Sequence, residues 1–349
     1  MYRIVGNKNR ESNFELLRIL CMVMVVIGHA DYLSIGLPKY QDVIAAPILS
    51  ISRIFIYQLC VVAVNVFVLI SGWFGIKQSK RGYSILIQTI GYGFLLYLID
   101  IQSLTMEGVF NVLFIGRVYW FVIAYMILYI LSPFINHYVD NSDKHTLKKL
   151  IFSFLIFEFI FGWLGGVGAF SDGYSAISFI GIYGLGRYLR TYSPEIKQPF
   201  LVFIGLAIFS TLSIIGSLLY LPESTSYSIH RLLIAYNSPT VVIASVCLFY
   251  SFKKLSFKSN IVNWMASSAL CIYLIHLHPV VFNNYFTPIV RLLFDNQSYL
   301  LLMAFLIGVC VACILIDKIR LAIYYLLTPL LNIIFNWLKK ILLTIVYNK

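Results

Sequence analysis

What most restricts this chain is the recurrence of long apolar runs that are nearly free of charge. Runs of about 20 residues, enough for a helix to cross a hydrocarbon layer, fall near 14–34, 53–75, 84–101, 119–137, 149–167, 175–190, 199–220, 236–252, 262–284 and 298–316. Charged residues make up 11% of the sequence, against about 25% in soluble domains, which excludes a water-soluble globule. An aromatic content of 16% excludes a disordered chain. The expected fold is all-α: a polytopic membrane protein of about ten transmembrane helices, one domain over 1–349 with its spans within 14–316. Segments 84–101 and 175–190 are short, and 102–118 suits a re-entrant piece. The run 321–338 follows Asp317, Lys318 and Arg320 and contains Pro329 and Asn332. It reads as an amphipathic interfacial helix in a cytoplasmic tail, with an eleventh span as the alternative.

The net charge of +12 follows the same segmentation. With the N-terminus in the cytoplasm, only Lys39, Arg53, Arg117, Arg231 and Arg291 of the 26 Lys and Arg fall on the outer side. This obeys the positive-inside rule. It assigns the surplus to topology rather than to nucleic acid, and places both termini in the cytoplasm of a cell (inner or plasma) membrane protein. The polar start has no small-residue cleavage site before the first run, so that run is expected to remain as a helix. All six cysteines lie in apolar runs. Cys310 and Cys313 have neither the turn nor the βαβ setting of a redox motif, and buried thiols behave as small hydrophobes. His276 and His278, at i,i+2, do not share a helix face, so no metal site is expected.

The informative residues are those that lipid penalises. In the first run Arg18 and His29 lie 11 positions apart. On a helix that is three turns plus about 20°, one face, with a rise of about 16 Å. Taken singly, Arg18 also suits a snorkelling cation or an i,i+3 pair with Glu15, and His29 a bond to a helix carbonyl. Asp31 points away from His29 on a regular helix. Glu158 sits mid-span and must be neutral or paired. Arg117, Tyr119 and Trp120 end a span on the outer side, where aromatics form membrane belts and also suit a sugar. Asn65 is a polar group on the second helix, and Ser71-Gly72 suits close helix packing. The sequence has no P-loop, H-E-x-x-H or G-x-S-x-G, and the GGVG at 165–168 is a loop.

The stretch SNFELLRILCMVMVVIGHA, with ten residues between Arg18 and His29, resembles the opening helix of the membrane acyltransferase-3 family. NVFVLISGWFGIK (Asn65 to Lys77), YWFVIAYMILYILSPFIN (Tyr119 to Asn136) and ALCIYLIHLHPV (Ala269 to Val280) are similar to later segments of that family, in the same order. One departure stands out: Lys77-Gln-Ser-Lys80-Arg81 occupies the place of an Arg-x-x-Arg, keeping charge but not bidentate phosphate geometry.

The resemblance implies transfer of an acyl group, most often acetyl, from cytoplasmic acetyl-CoA to a hydroxyl of an extracytoplasmic carbohydrate. It implies His29 as general base or transient acyl carrier. Arg18 would guide the donor's arm, and Glu158 would orient His29 or the acceptor. Arg18, Lys77, Lys80, Arg81, Arg187 and Arg190 would meet the donor's phosphates. Arg117, Tyr119, Trp120, His276 and Asn65 would face the acceptor. The partners expected are the acyl-CoA donor, the carbohydrate and the bilayer, with a homo-oligomer left open. The competing readings are a transporter or flippase, against which the absence of a clear internal repeat counts, and a membrane sensor.

Overall fold

The computed structural model describes residues 10–78, 80–101, 105–113 and 116–347. Among these the chain is helical throughout, with no strand. The principal helices are α1 (Ser12–His29), α2 (Pro47–Cys60), α3 (Ala63–Phe74), α4 (Lys80–Tyr97), α5 (Trp120–Asn141), α6 (Lys144–Phe157) and α7 (Ala176–Tyr192). They continue as α8 (Pro199–Tyr220), α9 (Glu223–Ile234), α10 (Pro239–Lys253), α11 (Asn260–Ala266), α12 (Ala269–His276), α13 (Thr287–Asp295) and α14 (Tyr299–Tyr347).

Every apolar run forms helix, but not every one is a clear crossing. Six helical stretches among the described residues are long and apolar enough: Ser12–Ile35, Pro47–Phe74, Trp120–Asn141, Pro199–Tyr220, Glu223–Lys253 and Tyr299–Pro329. A seventh is added if Asn260–His276 and Pro279–Asp295, bent by 69°, are one broken span. The remaining runs are the helices α4, α6 and α7, which carry polar ends. α4 opens on Lys80-Arg81, α6 holds Lys144, Lys148 and Lys149, and α7 ends with Arg187 and Arg190. The chain is thus a multi-pass membrane protein with six or seven clear crossings. In segment 102–118 a short helix, Met106–Leu113, is present, while 102–104 and 114–115 lie outside the described residues.

The C-terminal region differs from the expected separate interfacial helix. α14 runs unbroken for 49 residues, about 74 Å at 1.5 Å per residue. The polar stretch expected to interrupt it contains no glycine or proline, and it is tied down instead. Arg320 pairs with Asp317 at 2.7 Å one turn away, Tyr92 of α4 donates to Asp317 at 3.0 Å, and Lys318 donates to the Trp264 carbonyl at 2.6 Å. Side chains from residue 330 onward lie outside the described part.

The core falls into two main clusters that share α1. Phe14, Leu17 and Cys21 pack with residues of α3, α5, α6, α7 and α10. Met22, Val26 and Ala30 pack with residues of α4, α12, α13 and α14. The closest helix contact is α3 on α7. A Cβ on Gly72 would stand 2.4 Å from the Tyr183 carbonyl oxygen, and one on Gly186 2.7 Å from that of Leu69. Small residues here let the backbones meet.

Segments that the charge count placed on one side also meet in space. Phe14, Trp73 and Phe249 cluster at one end, with Phe14 and Phe249 ring centres 5.1 Å apart. Arg10 of the N-terminal segment donates to the Asn263 carbonyl. At the other end Arg53 pairs with Asp31, and Arg231 with Asp172.

Candidate active site

His29 is the last residue of α1 before the helix widens into a π-helical turn, Ala30–Ile35. Such turns disturb the regular ladder and recur at functional sites. This one is closed by Gly36, whose φ of 97° favours glycine. Arg53 of α2 holds it from the side, pairing with Asp31 at 2.7 Å and donating to the Gly36 carbonyl. Asp31 is therefore engaged away from His29, as the helix geometry required.

A second break meets the first. α12 ends at His276, and the chain bends before Pro279, where the His278 ring accepts from the Val280 N–H. His276 is fully buried. Its Nε2 stands 2.9 Å from Nδ1 of His29, and its Nδ1 faces the Ile272 carbonyl one turn back. A ring nitrogen sits about 1.1 Å from its ring centre, so a straight N···N contact of this length sets the centres about 5 Å apart. The observed 5.1 Å is that of an in-line hydrogen bond between ring edges. His278 turns elsewhere, its Nε2 at 3.1 Å from the Gly93 carbonyl.

His29 faces a cavity of about 440 Å³, within the roughly 300–1,000 Å³ usual for small-molecule sites. Its walls are apolar and rich in aromatic rings: Tyr32, Tyr57, Phe67, Trp120, Phe121, Tyr174, Tyr236, Tyr273 and Phe282 line it beside aliphatic and Met side chains, with Cys60, Gly28 and Asn283. No Lys, Arg, Asp or Glu is among the described lining residues. Trp120 and Tyr236 each approach Tyr174, with ring centres 4.6 Å away in both cases. The walls are braced from behind. Asn65 donates to the Tyr236 carbonyl at 2.7 Å, Tyr119 to the Leu274 carbonyl at 2.8 Å, and Tyr273 to that of Val118 at 3.1 Å. Such a chamber can stack flat apolar faces and offer one base to a hydroxyl.

Of the residues expected at the site, His29 and Trp120 line the cavity, while Asn65 and Tyr119 support its walls. His276 stands behind His29 rather than in the cavity. Arg18 shares the helix with His29 but pairs with Glu15 at 2.6 Å. Glu158 is buried beside Ser178 and Gly181 and is not among the cavity's lining residues. The Arg117 side chain lies outside the described part.

The other end carries the cations. Arg187 pairs with Asp140 at 2.6 Å and packs against Gly75, whose φ is 70°. Arg190 and Lys253 lie 5.0 and 4.8 Å from the centre of the Trp73 ring, and no ion pair is found for either among the described residues. Lys77 is exposed in the loop after α3, and the side chains of Lys80 and Arg81 lie outside the described part. Sequence reasoning missed Lys253 and Trp73, and also the tyrosines of the cavity. Each is ordinary in its own run, and only the packing of distant helices makes them neighbours.

The described residues contain no group of three His, Cys, Asp or Glu side chains arranged to hold a metal ion. The sequence model of the acyltransferase domain of the acyltransferase-3 family matches residues 11–317, from the start of α1 to the Asp317 anchor of α14. Neither a curated protein nor a solved structure matches the chain. Its domain match spans the helices that carry His29 and His276 and every wall of the cavity, and the chain belongs to the acyltransferase-3 family.

Proposed function

We propose that the protein transfers an acyl group, acetyl by preference, from acyl-CoA at the cytoplasmic face to a hydroxyl of an extracytoplasmic carbohydrate. The observation that carries this reading is His29, a base at the wall of an aromatic-rich chamber with no Lys, Arg, Asp or Glu among its described lining residues. In the proposed reaction His29 takes the acceptor hydroxyl's proton while the oxygen attacks the thioester carbonyl. The C–O bond forms, the C–S bond breaks, and the proton passes to the leaving thiolate, so the enzyme ends as it began. Aromatic faces suit the apolar face of a sugar ring. The cations Arg187, Arg190, Lys253 and Lys77 suit the donor's phosphates. In this topology all ten runs cross the membrane, α4, α6 and α7 among them, with both ends inside.

The reading is tested by reconstituting the full chain in vesicles with labelled acetyl-CoA supplied on one side and an oligosaccharide on the other. Transfer of label to the saccharide, dependent on His29, is the expected result. Saccharide crossing the bilayer without acquiring label would instead identify a transporter.

A further inference from the structure

We propose that His276 is a positioning residue that fixes which nitrogen of His29 serves the cavity. This rests on the reading of His29 as the base. The Ile272 carbonyl has no hydrogen to give. Its contact with Nδ1 of His276 therefore requires that Nδ1 carry the hydrogen. A neutral imidazole has one N–H, so Nε2 of His276 is bare. That bare nitrogen faces Nδ1 of His29 at 2.9 Å, so His29 donates from Nδ1. The nitrogen left without a hydrogen is Nε2 of His29.

His276 is fully buried and absent from the cavity's lining, whereas His29 lines it. The His29 edge away from His276 is thus the one offered to an incoming hydroxyl, and it is the edge with a free electron pair. No carboxylate pairs with either ring among the described residues, so nothing there favours a charged resting pair.

The arrangement also serves the next step. When Nε2 takes the hydroxyl proton, His29 becomes a cation that donates from both nitrogens, and Nε2 of His276 is already placed to accept. No tautomer has to change. The proton leaves with the thiolate from the same Nε2, and both rings return to their starting forms.

The test is the nitrogen-15 spectrum of the full chain labelled at histidine and held in nanodiscs, with the His29 signals assigned by comparison with His29→Gln. The expected result is a protonated Nδ1 and a bare Nε2 on His29. His276→Leu removes the acceptor and should shift His29 toward the Nε2–H form. His276→Gln supplies an amide oxygen in place of Nε2 and should preserve the wild-type pattern. In transfer assays His276→Leu should lose on the order of 10²-fold or more in kcat, with the KM of donor and acceptor little changed. His276→Gln should recover most of the loss.

A wild-type His29 carrying its hydrogen on Nε2 would overturn the proposal, as would a His276→Gln protein no better than His276→Leu. Should the leucine variant not fold, the wild-type and glutamine spectra decide. If the spectra are as expected but His29→Ala transfers normally, the reading of His29 as the base fails while the tautomer assignment stands.

Discussion

An imidazole among aromatic rings needs something to hold its orientation, and here its hydrogen-bond partner comes from far along the chain. The Arg18-to-His29 spacing was legible because helical periodicity alone puts the two on one face. The pairing of His29 with His276 was not, because 247 positions separate them and no local rule links them. Arg18 pairs locally with Glu15, since one turn of helix delivers that partner without any tertiary packing. The Asp31–Arg53 pair is the other residue-scale device. Its side chains are 12% and 13% exposed, so removing one charge strands the other. Arg53→Met should lower stability by about 3 kcal/mol, and Arg53→Met with Asp31→Leu by clearly less. Thermal unfolding in detergent checks the difference.

Among elements, the α3–α7 contact is the most demanding. Gly72→Ala would press a methyl group against backbone rather than against a side chain that can turn away, and should cost about 2 kcal/mol or more. Gly205→Ala on α8 meets nothing within 4 Å and should be neutral or slightly stabilising, because alanine favours helix. Comparing the two melting temperatures separates close packing from helix propensity.

The start of α6 gives a pH-dependent case. Asp143 accepts from the Thr146 hydroxyl at 2.6 Å and from the backbone N–H groups of Thr146 and His145. These bonds hold its carboxyl below the ordinary aspartate value. A depressed folded value means the cap acts fully above the ordinary value and is lost as the pH falls through the lower one. Amide exchange at His145 and Thr146 should speed up over that acid range, and Asp143→Ser should remove the dependence.

At the scale of the whole molecule, apolar runs revealed the all-helical class and the positions of the helices. They were weaker on which helices cross the membrane. α4, α6 and α7 carry lysine and arginine at their ends, and apolarity alone does not separate a sheltered crossing from a helix at the surface. The unbroken α14 was hidden because Asp317, Lys318 and Arg320 look like a boundary in sequence, while in the fold Tyr92 and the Trp264 carbonyl engage them. The charge count grouped the segments that meet at each end. It could not pair Arg190 with Lys253, whose shared position over Trp73 depends on α7 and α10 converging on α3. If this pair receives the donor's phosphates, Arg190→Ala and Lys253→Ala should each raise the donor KM about tenfold with kcat nearly unchanged, and added salt should narrow the difference.

The central claim is that His29 performs the proton transfer in acyl transfer while other groups bind the substrates. The direct measurement is single-turnover transfer of labelled acetyl by His29→Ala in vesicles, alongside its affinity for acetyl-CoA. The account predicts a loss of at least about 10²-fold in the transfer rate with donor affinity within about threefold of wild type. Transfer by His29→Ala at the wild-type rate would contradict it.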